Sequence, residues 1–502
     1  MELYSVAFIG FVIISAVIHE AVGRKCPKSQ WIVRLAASVV FYAGISGWKM
    51  IFLAISILTV WCAGISFDSA VRKYDKEEAL RRKRMSAFIL VIINLSILAL
   101  TKYLLPAVSH PILLPLGISY YTLMAVSYII DIYGEKYESE HNPLRLALYL
   151  MWFPQMLQGP VNRFGNISPT LYGTYRVSVP DVKKALMLFA FGAFKKYAIA
   201  NVMIGTVAEI FGGDITEKPG GFLFTGAVLF ALCQYADFSG GIDMMMAASE
   251  LFGVKMDVNF RQPYFAGSIA QFWRRWHITL GSFMKDYVFF PFALTHPVMK
   301  LNNKLVKKYG RHCARSVVGG LGNLLVFFLV GLWHGSQLHF LLWGLYNGMI
   351  IAVSDMCDPL FARMRSAFRI DAKSRSWNVF RIVRTFILIC LAGYFDYIER
   401  VRDCFTAFKN TFLHFSPSLS RLWLLDLFNS RILSVQKITV FILAVAVLFT
   451  TDVISERKKD PAAVFSGLPA AARWPLAYAF LILLLMSFTL VGDNAGFMYA
   501  AF

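Results

Sequence analysis

Apolar runs of about twenty residues, separated by short basic clusters, dominate this chain, and a helix of that length crosses the hydrocarbon core of a bilayer. Windows of this kind predict helical spans at about 4–22, 31–46, 49–67, 86–105, 112–133, 183–211, 221–238, 316–335, 337–355, 378–397, 436–451 and 474–492. Two further apolar stretches are less regular. Residues 144–160, LRLALYLMWFPQMLQGP, are interrupted by Pro154, Gly159 and Pro160, which predicts a kinked or re-entrant element, as does the pattern over 268–295. Irregular backbone persists at membrane depth only where protein or a water-filled cavity satisfies it. The expectation is an all-α polytopic membrane protein with about 11–13 transmembrane or re-entrant helices in one domain over 1–502.

Composition agrees with the pattern. Of 502 residues, 57% are hydrophobic and 16% charged, against roughly 45–50% and 25% in soluble domains. The net charge of +20 would suit a nucleic-acid binder, but its basic residues lie in clusters between apolar spans, where the positive-inside rule and anionic lipid account for them. Membrane lipid is therefore an expected partner and nucleic acid is not. Arg24, Lys25 and Lys28 follow the first span, and the run from Arg72 to Arg84 follows the third. Both are expected in the cytoplasm, with the N-terminus extracytoplasmic. Further clusters at 300–315, 363–384 and 456–459 are expected on the cytoplasmic side too. The first apolar run lacks a basic leader and a small-residue cleavage site, so it is expected to be a retained helix. Seven cysteines without a C-x-x-C pair indicate neither a disulfide framework nor a zinc site.

No G-x-S-x-G, H-E-x-x-H, G-x-x-x-x-G-K-[ST] or G-x-G-x-x-G pattern is present, which weighs against serine hydrolases, zincins and nucleotide-driven pumps. The chemistry instead concentrates in ionisable residues inside apolar sequence, which are expensive and therefore candidates for function. In VFFLVGLWHGSQLHFLLWGLYNG, His334 ends a long apolar run between Trp333 and Gly335. A histidine that hydrogen-bonds a neighbouring helix is the alternative, although Gly331 and Gly335 would allow backbone or substrate to approach closely. In IAQFWRRWHITLGSFMKDYVFFPF, the group Trp273, Arg274, Arg275, Trp276 and His277 reads on composition first as a helix at headgroup depth, where Trp and Arg are usual, and second as a functional cluster. In QYADFSGGIDMMMAASELFG, Asp237 and Asp243 flank Ser239, Gly240 and Gly241, a predicted helix break. Asp237 there would orient a histidine, bind a cation, or cap the helix. A histidine near its ordinary pKa of about 6.5 suits removal of a proton from an alcohol that attacks a thioester, without metal.

The order of DFSGGIDMMMAASELFG, NFRQPYFAGSIAQFWRRWHITLGSFMKDYVFFPF and GLWHGSQLHFLLWGLYNG resembles the membrane-bound O-acyltransferase family, in its bacterial branch that decorates cell-surface polymers. LPLGISYYTLMAVSYIIDIYGEK and FPQMLQGPVNRF extend the resemblance, so the motif core runs from about 112 to 350, and GDNAGFMYAAF looks like a loose form of the family's ending. The resemblance implies helices around a central tunnel in which donor and acceptor meet. It also implies that His334 acts as general base on the acceptor hydroxyl, that His277 supports it, and that Trp333, Asp237, Trp273 and Arg274 contact substrate. It further implies a bacterial cytoplasmic (inner) membrane enzyme with no bound cofactor or metal. Its donor would be acetyl-CoA, or an acylated carrier protein in the group that transfers D-alanine to teichoic acid. Its acceptor would be a cell-surface glycan or a secreted or anchored esterase-like partner. A transporter or flippase using His334, His277 and Asp237 as a proton relay is the alternative from another class, for which the chain lacks internal repeats.

Overall fold

In a computed structural model the described residues, 6–104 and 115–490, are mostly helical, joined by turns and irregular segments, and contain no strand. The expected family-like ending at 492–502 lies outside them. The long helices are α1 (Val6–Lys25), α2 (Gln30–Ser46), α3 (Met50–Lys73), α4 (Lys76–Ala99), α5 (Ile118–Tyr133), α6 (Val179–Phe194), α7 (Gly220–Glu250), α8 (His296–His334), α9 (Leu338–Met356), α10 (Arg375–Tyr397), α11 (Val435–Glu456) and α12 (Ala470–Leu490). Among the described residues, 9 helices are long and apolar enough to cross a membrane, or up to 10 if a bent pair counts as one span. The sequence pattern gives more spans for two physical reasons. Predicted spans 31–46 and 49–67 run on as one segment, Pro27–Lys73, and α5 is only 16 residues long.

Local chemistry sets the helix starts. Asp75 caps α4 by accepting from Glu78 N at 2.9 Å, with Glu77 and Glu78 in the first turn, where the helix dipole favours acids. Ser374 and Ser434 do the same for α10 and α11, each accepting a backbone N–H at 3.2 Å.

The described residues divide into two compact units, those up to 190 with 241–258, and 191–240 with those from 259 on. In the first, the fully buried Arg34 guanidinium donates to the carbonyls of Leu171, Gly173 and Phe252 at 2.8–2.9 Å. The predicted kink over 144–160 is found there: helices Pro143–Met151 and Phe153–Gln158 are broken at Trp152, whose ψ is 111°. Protein groups satisfy the break. Trp152 Nε1 donates to Ser249 at 3.0 Å, Tyr149 to the Asn162 carbonyl at 3.1 Å, and Asn162 Nδ2 to Gln155 at 3.0 Å.

The second unit holds the histidines of interest. Here one expectation fails: α7 runs unbroken through Ser239, Gly240 and Gly241. Gly240 serves close packing instead, because a Cβ there would stand 2.6 Å from the Gly192 carbonyl oxygen and 3.2 Å from Lys195 Cβ. The neighbouring turn is π-helical, Lys195–Asn201. Lys196 Nζ donates to Asp237 at 2.7 Å, both side chains being almost fully buried, and Lys195 Nζ donates to Ser239 Oγ at 2.9 Å. A buried charge persists only when paired, so Asp237 is part of a helix-to-helix ion pair and neither caps nor breaks its helix.

Candidate active site

His334 is the last residue of α8, and Gly335 ends the helix by returning its N–H to the Gly331 carbonyl at 3.2 Å. After Ser336 and Gln337 the chain re-enters a helix as α9, packed tightly against α8. Glycines make that closeness possible. A Cβ on Gly331 would meet Phe340 O at 2.5 Å, one on Gly335 would meet the Phe340 ring at 2.5 Å, and one on Gly344 would collide with Phe327 O. The space that Gly331 and Gly335 leave is therefore occupied by α9 itself, and their role is to place His334 rather than to admit substrate.

An aromatic box surrounds the imidazole. Its centroid lies 5.1 Å from those of Trp333 and Trp343, both edge-on, and 6.2 Å from that of Phe340, which is stacked. Only 5% of His334 is exposed. Such walls exclude water, which strengthens every polar interaction within them.

His277 approaches the same indole from another element. It lies between α7 and α8, outside the span-length helices, with left-handed backbone (φ 45°, ψ 52°) immediately before the short helix Ile278–Met284. Non-glycine residues adopt this conformation where the surroundings over-determine it, a situation that clusters at functional sites. Asn259 supplies that constraint. Its backbone carbonyl accepts from Ile278 N at 3.0 Å, and its side-chain oxygen accepts from Thr279 N at 3.0 Å and Thr279 Oγ1 at 2.9 Å while lying 3.2 Å from His277 Nδ1. The imidazole sits 5.0 Å from Phe238, edge-on, and 6.1 Å from Trp333. Its Nε2 is buried without a hydrogen-bond partner among the described residues. Burial pushes the imidazole well below its ordinary range, to about 3, so it is neutral at physiological pH.

The remaining sequence candidates separate. Trp273 joins the site: its indole N–H donates to Asn347 Oδ1 at 3.1 Å and its ring meets Trp343 at 5.4 Å. Trp333 lies between chemistry and packing, 5% exposed and touching both histidines. Arg274 is exposed. Asp237 pairs with Lys196, while its neighbour Phe238 is the residue that meets His277. Sequence reasoning missed Asn259, Phe340, Trp343 and Lys196. Only Lys196 carried a local signal, a charge inside an apolar run. Among the described residues no cluster of His, Cys, Asp and Glu could hold a metal ion.

Fold and site together define a polytopic helical membrane protein with two buried imidazoles beside one tryptophan. Residues 314–395, which contain His334 and most of its aromatic box, match the family described as MBOAT, membrane-bound O-acyltransferase. That segment thus resembles the membrane-bound O-acyltransferases, the family its motifs led us to expect. The chain is 29% identical over 374 residues to the probable alginate O-acetylase AlgI of Pseudomonas syringae pv. tomato, covering 71% of this chain and 65% of that protein. It is 29% identical over 395 residues to the peptidoglycan O-acetyltransferase of Helicobacter pylori, covering 69% and 67%. To the teichoic acid D-alanyltransferase of Bacillus subtilis it is 27% identical over 342 residues, covering 63% and 79%. The match thus spans just under two thirds of the alginate relative's length.

Proposed function

We propose that this protein is a membrane-bound O-acyltransferase that moves acetyl groups from a cytoplasmic thioester donor, acetyl-CoA, toward hydroxyls of an extracytoplasmic polysaccharide in the bacterial cell envelope, with His334 as general base. The observation that carries this reading is the pair of buried imidazoles, His334 and His277, set against Trp333 in a water-excluding aromatic box. A neutral imidazole at His334 takes the proton from the acceptor hydroxyl as its oxygen bonds to the thioester carbonyl carbon. The C–S bond then breaks, and the leaving thiolate recovers the proton from the imidazolium. Exclusion of water favours transfer over hydrolysis of the donor. His277, neutral and held by Asn259, braces Trp333 against the reacting histidine. The acceptor reaches this site directly or through an esterase-like partner on the outer side.

The relatives' names support acylation of cell-surface polymers and leave the acyl group to experiment. Membranes carrying the protein are supplied with acetyl-CoA labelled in the acetyl group, and ester-linked label is followed into polysaccharide. Label in polymer that mild base releases supports the proposal. Transfer only of D-alanyl groups from a carrier protein would replace the donor assignment, and vectorial transport without acyl transfer would refute the enzyme reading.

A further inference from the structure

Two arginines of α10 converge on the strand of chain that leads into the active site. Arg384 Nη2 donates to the Gly267 carbonyl at 3.0 Å and Arg381 Nε reaches the same oxygen at 3.4 Å. The guanidinium of Arg381 packs closely on this glycine: a Cβ on Gly267 would stand 2.9 Å from Arg381 Nη2 and 3.1 Å from its Cζ. Gly267 N in turn donates to Gln271 Oε1 at 2.8 Å, on the short helix Ile269–Trp273 that ends at the Trp273 ring beside Trp343 and His334.

One carbonyl uses few of the five N–H donors that each guanidinium carries. Among the described residues, neither Arg381 nor Arg384 forms an ion pair with a carboxylate. Like charges three residues apart on a helix repel, so the pair is held side by side against its own electrostatics with donors to spare. That arrangement matches phosphate, which guanidinium binds through paired N–H groups. One turn before each arginine stands an aromatic residue, Trp377 before Arg381 and Phe380 before Arg384. Their rings are stacked at 5.0 Å and 24°, and Phe380 is 52% exposed. A flat, accessible π-surface beside two guanidiniums is the combination that takes a nucleobase next to its phosphates.

We propose that Arg381 and Arg384, seated on Gly267, clamp the phosphates of a nucleotide-bearing thioester donor, with Trp377 and Phe380 receiving its base. This rests on the acyl-transfer reading. Anionic lipid headgroups offer the same phosphate chemistry, and the test separates the two sources. The purified full chain and the double variant Arg381→Gln/Arg384→Gln, which removes both positive charges and keeps a polar side chain at each position, are titrated with adenosine 3′,5′-bisphosphate in neutral-lipid nanodiscs. The wild type is expected to bind and the double variant to bind at least tenfold more weakly. Absence of wild-type binding, or equal binding by both, overturns the clamp.

Turnover is compared in parallel with acetyl-CoA and with acetyl-pantetheine, a thioester lacking the phosphates. The expected loss of kcat/KM in the double variant is at least tenfold greater for acetyl-CoA than for acetyl-pantetheine. Equal losses would reduce the arginines to props for Gly267, and a defect seen only in nanodiscs containing phosphatidylglycerol would assign the clamp to lipid, so either overturns the proposal. A wild type that binds the bisphosphate but turns over neither donor refutes acyl transfer while the clamp stands.

Discussion

The imidazoles of His277 and His334, 57 positions apart in sequence, meet the same indole: Trp333 lies 6.1 Å from the first and 5.1 Å from the second, edge-on to both. One histidine ends a long helix and the other precedes a short one in left-handed backbone, so two independent parts of the fold fix this junction.

Asn259 should control His277. Asn259→Ala removes the acceptor for two groups of Thr279 and the neighbour of His277 Nδ1, leaving buried donors unsatisfied at about 1–3 kcal/mol each. A fall in detergent melting temperature together with reduced acyl transfer is expected. An unchanged melt would show that the left-handed turn holds itself.

His277 should also shape the dependence of stability on pH. Its folded pKa, near 3, lies below the ordinary 6.5, so protons favour the unfolded chain. The contribution is fully present above pH 6.5 and is lost steadily as pH falls toward 3. His277→Gln should flatten that part of the melting-temperature profile, whereas a profile with the wild-type slope would remove His277 as its source.

Gly344→Ala should damage the site without touching its chemistry. The new methyl group collides with the Phe327 carbonyl across the α8/α9 hairpin, and overpacking of this kind costs about 1–3 kcal/mol. The helices must separate, which moves His334 relative to Trp343. Lower kcat in a protein that still purifies monodisperse is the expected result, and full activity would mean that the hairpin absorbs the strain elsewhere.

The Lys196 and Asp237 pair predicts a non-additive mutant cycle. Asp237→Ala leaves a buried ammonium without its carboxylate, at about 3–5 kcal/mol, whereas replacing both partners with apolar residues is often nearly neutral. Lys196→Met/Asp237→Leu should therefore melt above Asp237→Ala, and additive losses would show that the pair is not coupled.

Much of this was legible in the chain. Apolar periodicity carries the helices, and ionisable residues in apolar sequence mark His334 and His277. The box around them was not legible, because Trp343, Phe340 and Asn259 reach the histidines through tertiary packing that no local pattern encodes. Ser239, Gly240 and Gly241 misled for a related reason. Glycine pairs punctuate helices in local statistics, yet here Gly240 exists for the close approach of Gly192. The glycines beside His334 likewise admit a helix and not a ligand.

The most direct test of the account is single-turnover transfer of labelled acetyl from the donor by purified protein, wild type against His334→Ala, with equal melting temperatures as the control for folding. Removal of a general base predicts a loss of about 10²–10⁴-fold. Transfer by the folded variant at the wild-type rate would contradict the central role of His334.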